Sequence, residues 1–411
     1  MRPGWRVGTI FGIPLFVDTS WFLILGLMTL LNSSGLQRQG LSPGMAWMVG
    51  LALALLLFGS VLLHELGHSL VARSQGITVN SISLFIFGGI ASLDQESKTP
   101  GQAFQVAIAG PAVSFVLFVL LLGLAQFIPD STPIHQAVQE LAWINGVLAL
   151  FNMIPGLPLD GGQVLKSIVW KISGSRLKGM RWAARSGQWF GWTAIAFALM
   201  LYLQTGGRAI TLLWIALIGW FIVSNASTYN RVAELQEAVA ALHAERAMTR
   251  EFRVVDANLN LQKFTDDYVL REEGLSPAFF AASDGRYRGM VVPEDLQEIE
   301  RSEWTLKTLN NIVHPLSEIP TVRETTPLAE VIEQLESLEL KRITVLSPAG
   351  AVAGMIDRGD IVRAVAEKLR VPIPDTFIKQ IKEEGAYPPG LPLQMIAKSI
   401  NETPVVQDAK N

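Results

Sequence analysis

The chain has 411 residues, half of them hydrophobic and 17% charged, with a formal net charge of -3 and no cysteine. That length holds two or three domains, the charge leaves no electrostatic footprint for nucleic acid, and the missing cysteine excludes any disulfide, which fits a cytosolic soluble part. The apolar excess lies before residue 225 and the charges after it, so a membrane-embedded half precedes a soluble one.

Trp5 to Val17 mixes apolar residues with Gly8, Gly12 and Pro14, which predicts short extended pieces. Arg2, Arg6 and this run also have the outline of a signal peptide, but Pro14 and Asp18 break its core. Asp18-Thr19-Ser20 offers helix N-caps before a first span from Trp21 to Leu31, and Asp18 also has the chemistry of a metal ligand. Met45 to Leu63 is a run of nineteen residues without charge, the length and character of a second span. It leads into His64-Glu65-Leu66-Gly67-His68. Residues four apart share a helix face, so His64 and His68 can aim two imidazoles at one point. That pair suits a tetrahedral Zn²⁺, one per chain, with a position kept open for water. Glu65, beside the first histidine, can take a proton from that water. Ionisable residues at the end of such a span are functional candidates because lipid makes them costly.

Ile77 to Ser92 is β-branched and aromatic with a Gly88-Gly89 pair, which predicts two strands and a bend. Two placements are open. At membrane depth such backbone survives only under protein or beside a watery cavity, where an edge strand offers a substrate backbone its pairing partner. The alternative is a surface hairpin in a cytosolic loop. Third and fourth spans follow as Ala103 to Ile128, bent by Gly110-Pro111, and Ala137 to Ile154, carrying Asn145 and Asn152. Pro155 and Pro158 then release Leu159-Asp160-Gly161-Gly162. Trp189 to Leu203 and Ala209 to Val223 are short fifth and sixth spans. An N-terminus in the cytosol assigns Arg2, Arg6, Arg73, Lys98, Lys166, Lys171, Arg176, Lys178, Arg181 and Arg185 to the inside, and only Arg38 and Arg208 to the outside. The second and fourth spans then both end on the cytosolic side, which puts His64, His68 and Asp160 at one depth. A catalytic zinc keeps three protein ligands. His135, His243 and His314 are poorly placed for it. Asp160 taken alone reads as a turn residue, but the shared depth makes it the best-placed carboxylate.

His64-Glu65-Leu66-Gly67-His68, Ala109-Gly110-Pro111 and Asn152 to Gly162 (NMIPGLPLDGG) together resemble the site-2 protease family of intramembrane zinc metalloproteases over roughly the first 225 residues. The resemblance implies that His64, His68 and Asp160 bind zinc and that Glu65 is the general base. It also implies that Asn152 lies near the substrate carbonyl and that Phe87-Gly88-Gly89 belongs to a re-entrant β-hairpin that binds substrate. Ser114 departs from the pattern, since relatives with this Gly-Pro motif often carry Asn. No PDZ-like insertion interrupts the spans.

In the soluble half, Ser227 to Met248 is Ala-rich with Val232, Leu235, Val239 and Leu242 on one face, which predicts a connecting helix. A repeat follows at an offset of 65 residues, strand, turn, strand and helix, with Gly289 and Asp295 matching Gly354 and Asp360. The helices are expected from Pro293 and Asp360. The pattern resembles a tandem pair of CBS domains, which implies adenine-nucleotide binding with Asp295 and Asp360 on the ribose. Val292 and Asp357 stand where a Ser or Thr often contacts phosphate, so a dimerising or docking pair without ligand is the alternative. The last forty residues carry no motif.

The expected fold class is a polytopic α-helical membrane protein of about six transmembrane helices with a re-entrant β-hairpin, followed by an α/β CBS-domain pair. The expected domains are a membrane metalloprotease at 1–224, a linker helix at 225–248, the CBS pair at 249–370 and a C-terminal extension at 371–411. The expected activity is zinc-dependent cleavage of single-span membrane proteins near the cytosolic side of the lipid bilayer, regulated by the CBS pair. That pair and the N-terminus are expected in the cytosol, with a homodimer through the pair as a further assembly. The rival reading is a non-enzymatic, CBS-regulated membrane sensor or channel-like protein.

Overall fold

A computed structural model describes residues 4–86, 88–129, 132–206, 209, 211–271 and 278–401. It divides into two compact units, Met1–Ala233 and Glu234–Asn411.

The first unit opens with strands β1 (Trp5–Ile10) and β2 (Ile13–Val17), an antiparallel pair whose turn passes through Phe11 and Gly12 at positive φ. Helix α1 (Thr19–Arg38) starts at Asp18, whose carboxylate accepts the Ser20 N–H at 2.8 Å, so this residue serves as a cap. Helix α2 (Pro43–Ser74) runs unbroken through the second expected span and the two histidines. Strands β3 (Val79–Phe85) and β4 (Gly88–Leu93) follow. They complete a four-stranded sheet in the order β1-β2-β3-β4, which leaves β4 as an edge. Helix α3 (Pro100–Ala125) contains Pro111, and α4 (Pro133–Asn152) ends at Asn152. Then come α5 (Asp160–Ser173), α6 (Arg176–Gln204) and α7 (Thr211–Ala240).

Large apolar side chains point outward along these helices, among them Leu23, Leu120, Leu150, Leu203 and Trp214, each more than half exposed. Such a surface is stable only against hydrocarbon, so the protein is a multi-pass membrane protein. Polar groups are instead held inside: Asn145 of α4 is fully buried and donates to Ser60 Oγ of α2 at 3.0 Å. Among the described residues, six helices have 20 or more residues. Among the described residues, four are long and apolar enough to cross a membrane by composition: Thr19–Arg38, Pro43–Ser74, Pro100–Ala125 and Leu212–Ala240. The other two carry their polarity inside the helix, with Gln136, Gln139, Glu140 and Asn145 in α4 and Arg176, Lys178, Arg181 and Arg185 in α6. The expected connecting helix is not separate, because α7 carries the last apolar run and most of the expected linker as one helix.

The second unit begins with the end of α7 and a short helix, α8 (Ala244–Ala247). Its first repeat contains β5 (Phe252–Asp256), α9 (Leu261–Phe264), β6 (Ala278–Ser283), β7 (Arg286–Val291) and β8 (Val313–Pro315) in the sheet order β5-β6-β7-β8. Phe264 and Phe279 fill its core edge to face. The second repeat contains β9 (Thr321–Arg323), α10 (Leu328–Ser337), β10 (Arg342–Leu346), β11 (Val352–Asp357) and α11 (Arg358–Leu369), with the sheet order β11-β10-β9. The repeats differ where the helix was expected. After Pro293 there is only a 3-10 stretch, Pro293–Glu298, whereas α11 is a full helix opened by a capping box between Asp357 and Asp360. The C-terminal residues are also structured: α12 (Asp375–Glu384) and α13 (Leu393–Asn401) place Ile378, Ile381, Leu393 and Ile396 in the same core as α10 and α11.

Candidate metal centre

Two helices meet at the site. His64 and His68 lie one turn apart on α2, and Asp160 is the first residue of α5. The intervening 153–159 segment is seated by Leu157, which is fully buried with Met180, Ala183 and Ala184 of α6, and whose N–H donates to the Ala183 carbonyl at 3.0 Å. That anchor sets where α5 starts and therefore where Asp160 lies.

His64 Nε2 is 3.0 Å and His68 Nε2 3.3 Å from Asp160 Oδ2, and the two Nε2 atoms are 3.3 Å apart. The other ring nitrogens are engaged from behind. His68 Nδ1–H donates to the Val106 carbonyl at 2.7 Å, which leaves its Nε2 as a lone pair. His64 Nδ1 is 2.9 Å from the hydroxyl of fully buried Ser114. Both partners sit on α3, which runs close against the imidazoles. A Cβ at Gly110 would overlap His68 Nε2 and His64 Nε2, so the Gly of the Gly-Pro motif is a steric requirement. The bare His68 nitrogen, the His64 nitrogen and a carboxylate oxygen packed this closely form the donor set of a divalent cation. Donors at the corners of a tetrahedral zinc site, about 2.0–2.1 Å from the metal, stand roughly 3.3 Å from one another. The donor set therefore fits zinc, and it is the one such cluster among the described residues.

Glu65 shares a cavity of about 410 Å³ with His68 and Asp160. Its wall includes Gly89, Ile90 and Ala91 of β4, so the edge strand runs along the site. A Cβ at Gly89 would collide with the Glu65 side chain. Gly88 and Gly89 pair with Phe85 and Leu84, while Phe87 lies outside the described residues. Asn152 Nδ2 is 3.4 Å from His64 Nε2. The far wall carries a small ion network: Lys166 Nζ donates to Glu96 Oε2 at 3.0 Å, and Arg176 pairs with the same oxygen. Neither that network nor the role of Val106 is legible in the sequence, because contacts between distant helices leave no local pattern; Ser114 stood out there only as a departure from the Gly-Pro motif.

The remaining expected site residues lie in the second unit. Asp295 Oδ2 is 2.6 Å from His314 Nε2, and Asp360 is bound by Arg363 and Lys382.

The sequence profile of Peptidase family M50 matches residues 52–140 and 130–187, which contain the histidines and Asp160. "Putative zinc metalloprotease sll0528" of Synechocystis sp. is 45% identical over 361 residues, 88% of this chain and 95% of that one. The chain belongs to the site-2 protease family. It is thus a zinc metalloendopeptidase, and the sensor or channel reading falls away. "Putative zinc metalloprotease Rip3" of Mycobacterium tuberculosis is 32% identical over 370 residues, 89% of this chain and 93% of that one. A solved site-2 protease from Methanocaldococcus jannaschii aligns at 31% identity over 55% of this chain and 95% of its own, with a TM-score of 0.39. The CBS-domain profile matches residues 311–367, which contain most of the second repeat.

Proposed function

We propose that His64, His68 and Asp160 hold one zinc ion, that Glu65 is the general base, and that the enzyme cleaves single-span membrane proteins near the cytosolic face of the bilayer. The observation that carries this reading is the approach of three donor atoms to 3.0–3.3 Å with Glu65 on the same cavity. Zinc, when bound, supplies a Lewis acid that polarises the scissile carbonyl and makes water a nucleophile near neutral pH. Glu65 accepts the proton of the attacking water on its carboxylate and returns it to the leaving amine as the C–N bond breaks. Asn152, beside His64, is placed to donate an amide hydrogen bond to the substrate carbonyl. The exposed edge of β4 holds the substrate extended by backbone pairing, with Gly88 and Gly89 keeping the approach to Glu65 open. Such pairing offsets the unwinding that a helical substrate needs before its peptide bond is accessible.

In this reading α1, α2, α3, α4, α6 and α7 are six spans, the β3–β4 hairpin is re-entrant, and the N-terminus and second unit are cytosolic. The functional divisions follow 1–224, 225–248, 249–370 and 371–411. Single cysteines at Gln39 and Ser173, both exposed, test the orientation with an impermeant thiol reagent on intact cells. Labelling of Gln39→Cys alone is expected; labelling of Ser173→Cys alone inverts the topology. The CBS pair, as a homodimerising or ligand-sensing module, is the proposed regulator.

The catalytic assignment is tested by zinc content and cleavage of a single-span substrate. Glu65→Gln should keep zinc near one per chain and lose cleavage, whereas His68→Ala and Asp160→Ala should lose both. Loss of zinc in Glu65→Gln with retention in Asp160→Ala would overturn the roles.

A further inference from the structure

The two carboxylates that the repeat places at matching positions are not equally accessible. Asp295 and its partner His314 have side chains 26% and 45% exposed. The Asp360 side chain is 2% exposed, and its acceptor sites are spoken for. Oδ1 takes Lys382 Nζ and Arg363 Nη2, each at 2.9 Å. Oδ2 takes the Asp357 N–H and the Thr249 hydroxyl, each at 3.2 Å. Four donors leave no acceptor for a pair of ribose hydroxyls.

The decisive donor comes from outside the repeat. Lys382 belongs to α12, and its ammonium also lies 2.7 Å from Glu251 Oε2 and 3.5 Å from Asp357 Oδ2. Three carboxylates, from the segment before β5 and from the β11–α11 junction, thus converge on one cation supplied by the C-terminal residues. The backbone is shaped for this insertion: a Cβ at Gly359 would stand 2.6 Å from Lys382 Cγ and 3.1 Å from the Ile378 carbonyl. Beneath the charges, Ile378 and Ile381 of α12 are buried with Ile361, Val362 and Val365 of α11. We propose that α12 is the resident occupant of the second half of the CBS pair, keyed by Lys382, and that this half takes no nucleotide while α12 is seated.

The electrostatics support this. Burial and the neighbouring Asp357 carboxylate push the Asp360 carboxyl above its ordinary value, and Lys382 opposes them. Burial works to lower the Lys382 ammonium, but Glu251, Asp360 and Asp357 hold it above its usual value. Without Lys382, the carboxylates of Glu251, Asp357 and Asp360 outnumber the neighbouring Arg363 and Arg342, which leaves a negative pocket that attracts an ammonium and repels a phosphate. Apolar contacts alone would dock a helix here at less desolvation cost. A buried lysine among carboxylates instead fixes one register of α12. The helix is also bounded for release: Pro372 and Pro374 precede it, and Gly385 ends it at positive φ.

The proposal rests on reading residues 249–370 as a CBS pair, and its test uses the full-length protein in detergent. Hydrogen exchange is followed for residues 375–384, with strands 342–346 and 352–357 as the folding control. Binding of AMP and ATP is measured by equilibrium dialysis up to about millimolar concentration. In the wild type, α12 should be protected and no nucleotide binding should depend on Asp360. Lys382→Glu should raise exchange in α12 at least tenfold while the strands stay protected. If the strands open as well, Lys382→Met decides, with faster exchange confined to α12. Nucleotide binding that Asp360→Asn abolishes while α12 stays protected would overturn the proposal. So would an unprotected α12 in the wild type, or variants that exchange like the wild type. Zinc content and cleavage, measured on the same samples, report separately on the catalytic reading, and failure there leaves the α12 result standing.

Discussion

Asp160 and Asp360 are both poorly exposed carboxylates in the first turn of a helix, yet they sit in opposite chemical situations. Asp360 is enclosed by two fixed cations, a hydroxyl and a backbone N–H, all supplied by its own unit. Asp160 faces two imidazoles, one of which is fixed with a bare nitrogen toward it. One cluster is complete as built; the other, on the proposed reading, is completed by a cation from solution. A buried charge signals a ligand when the chain has not provided its counter-charge, and signals internal architecture when it has. The repeat suggested that Asp295 and Asp360 were equivalent, and the counter-charges show that they are not.

The sharpest way to break this comparison is at the catalytic centre. Removing a general base costs roughly two to four decades in rate, so Glu65→Gln should lower cleavage about a thousandfold with zinc unchanged. Asp160→Ala should release zinc, yet the zinc-free variant should unfold thermally much as the zinc-free wild type does, since no internal partner is stranded. Next in size is the opposite experiment in the second unit. Lys382→Ala strips a cation from a buried carboxylate cluster, a change that costs about 3 kcal/mol. Denaturant unfolding of this unit should shift accordingly, with zinc content untouched. Equal stability losses from Asp160→Ala and Lys382→Ala would dissolve the distinction between the two sites.

What the sequence disclosed divides along the same line. His64, Glu65 and His68 were legible because a helix converts a spacing of four into one face, and α2 is an uninterrupted helix. Asp160, which its Pro/Gly surroundings alone would make a turn residue, was legible through its depth relative to charge-flanked spans. The β-hairpin was legible from β-branched residues around Gly88-Gly89. The helix expected after Pro293 failed because propensity does not register the short run to Ile299, where the chain turns extended again. Lys382 was invisible for a different reason. Its partners are 131, 25 and 22 residues away, at Glu251, Asp357 and Asp360, and no periodicity links them. Contacts that close a site from another element can be seen only once the fold brings them together.

Ser114 gives a smaller effect at the metal centre. Its hydroxyl fixes the His64 ring from behind, and loss of such an orienting partner typically lowers metal affinity 10–100-fold. Ser114→Ala should weaken zinc binding about tenfold, measured by competition with a chelator, and Ser114→Thr should restore part of it. Unchanged affinity in Ser114→Ala would mean that packing against α3, through Gly110, orients the ring on its own.

The smallest expected effect separates the rim of the Lys382 cluster from its interior. Glu251 is 65% exposed, so its contact with Lys382 is screened by water, and Glu251→Gln should cost only about 0.5 kcal/mol. The hydrogen bond from Lys382 nonetheless holds the Glu251 carboxyl below its ordinary value of 4.5. A carboxylate depressed on folding contributes stability that is fully present above its unfolded value and is lost as pH falls through the folded one. The difference between wild type and Glu251→Gln should therefore be constant well above pH 4.5, shrink as the pH falls below it, and vanish once the pH has passed the folded value. Comparing the two proteins cancels the protonation of Asp360, which both retain. At the other end of the scale the Lys382 ammonium is raised from 10.5, so its contribution persists through neutral pH and is lost only as pH rises past the folded value. Denaturant titrations of the two proteins between pH 3 and 8 would read the acid limb directly. A difference that grows as the pH falls would place Glu251 in a role other than acceptor for Lys382.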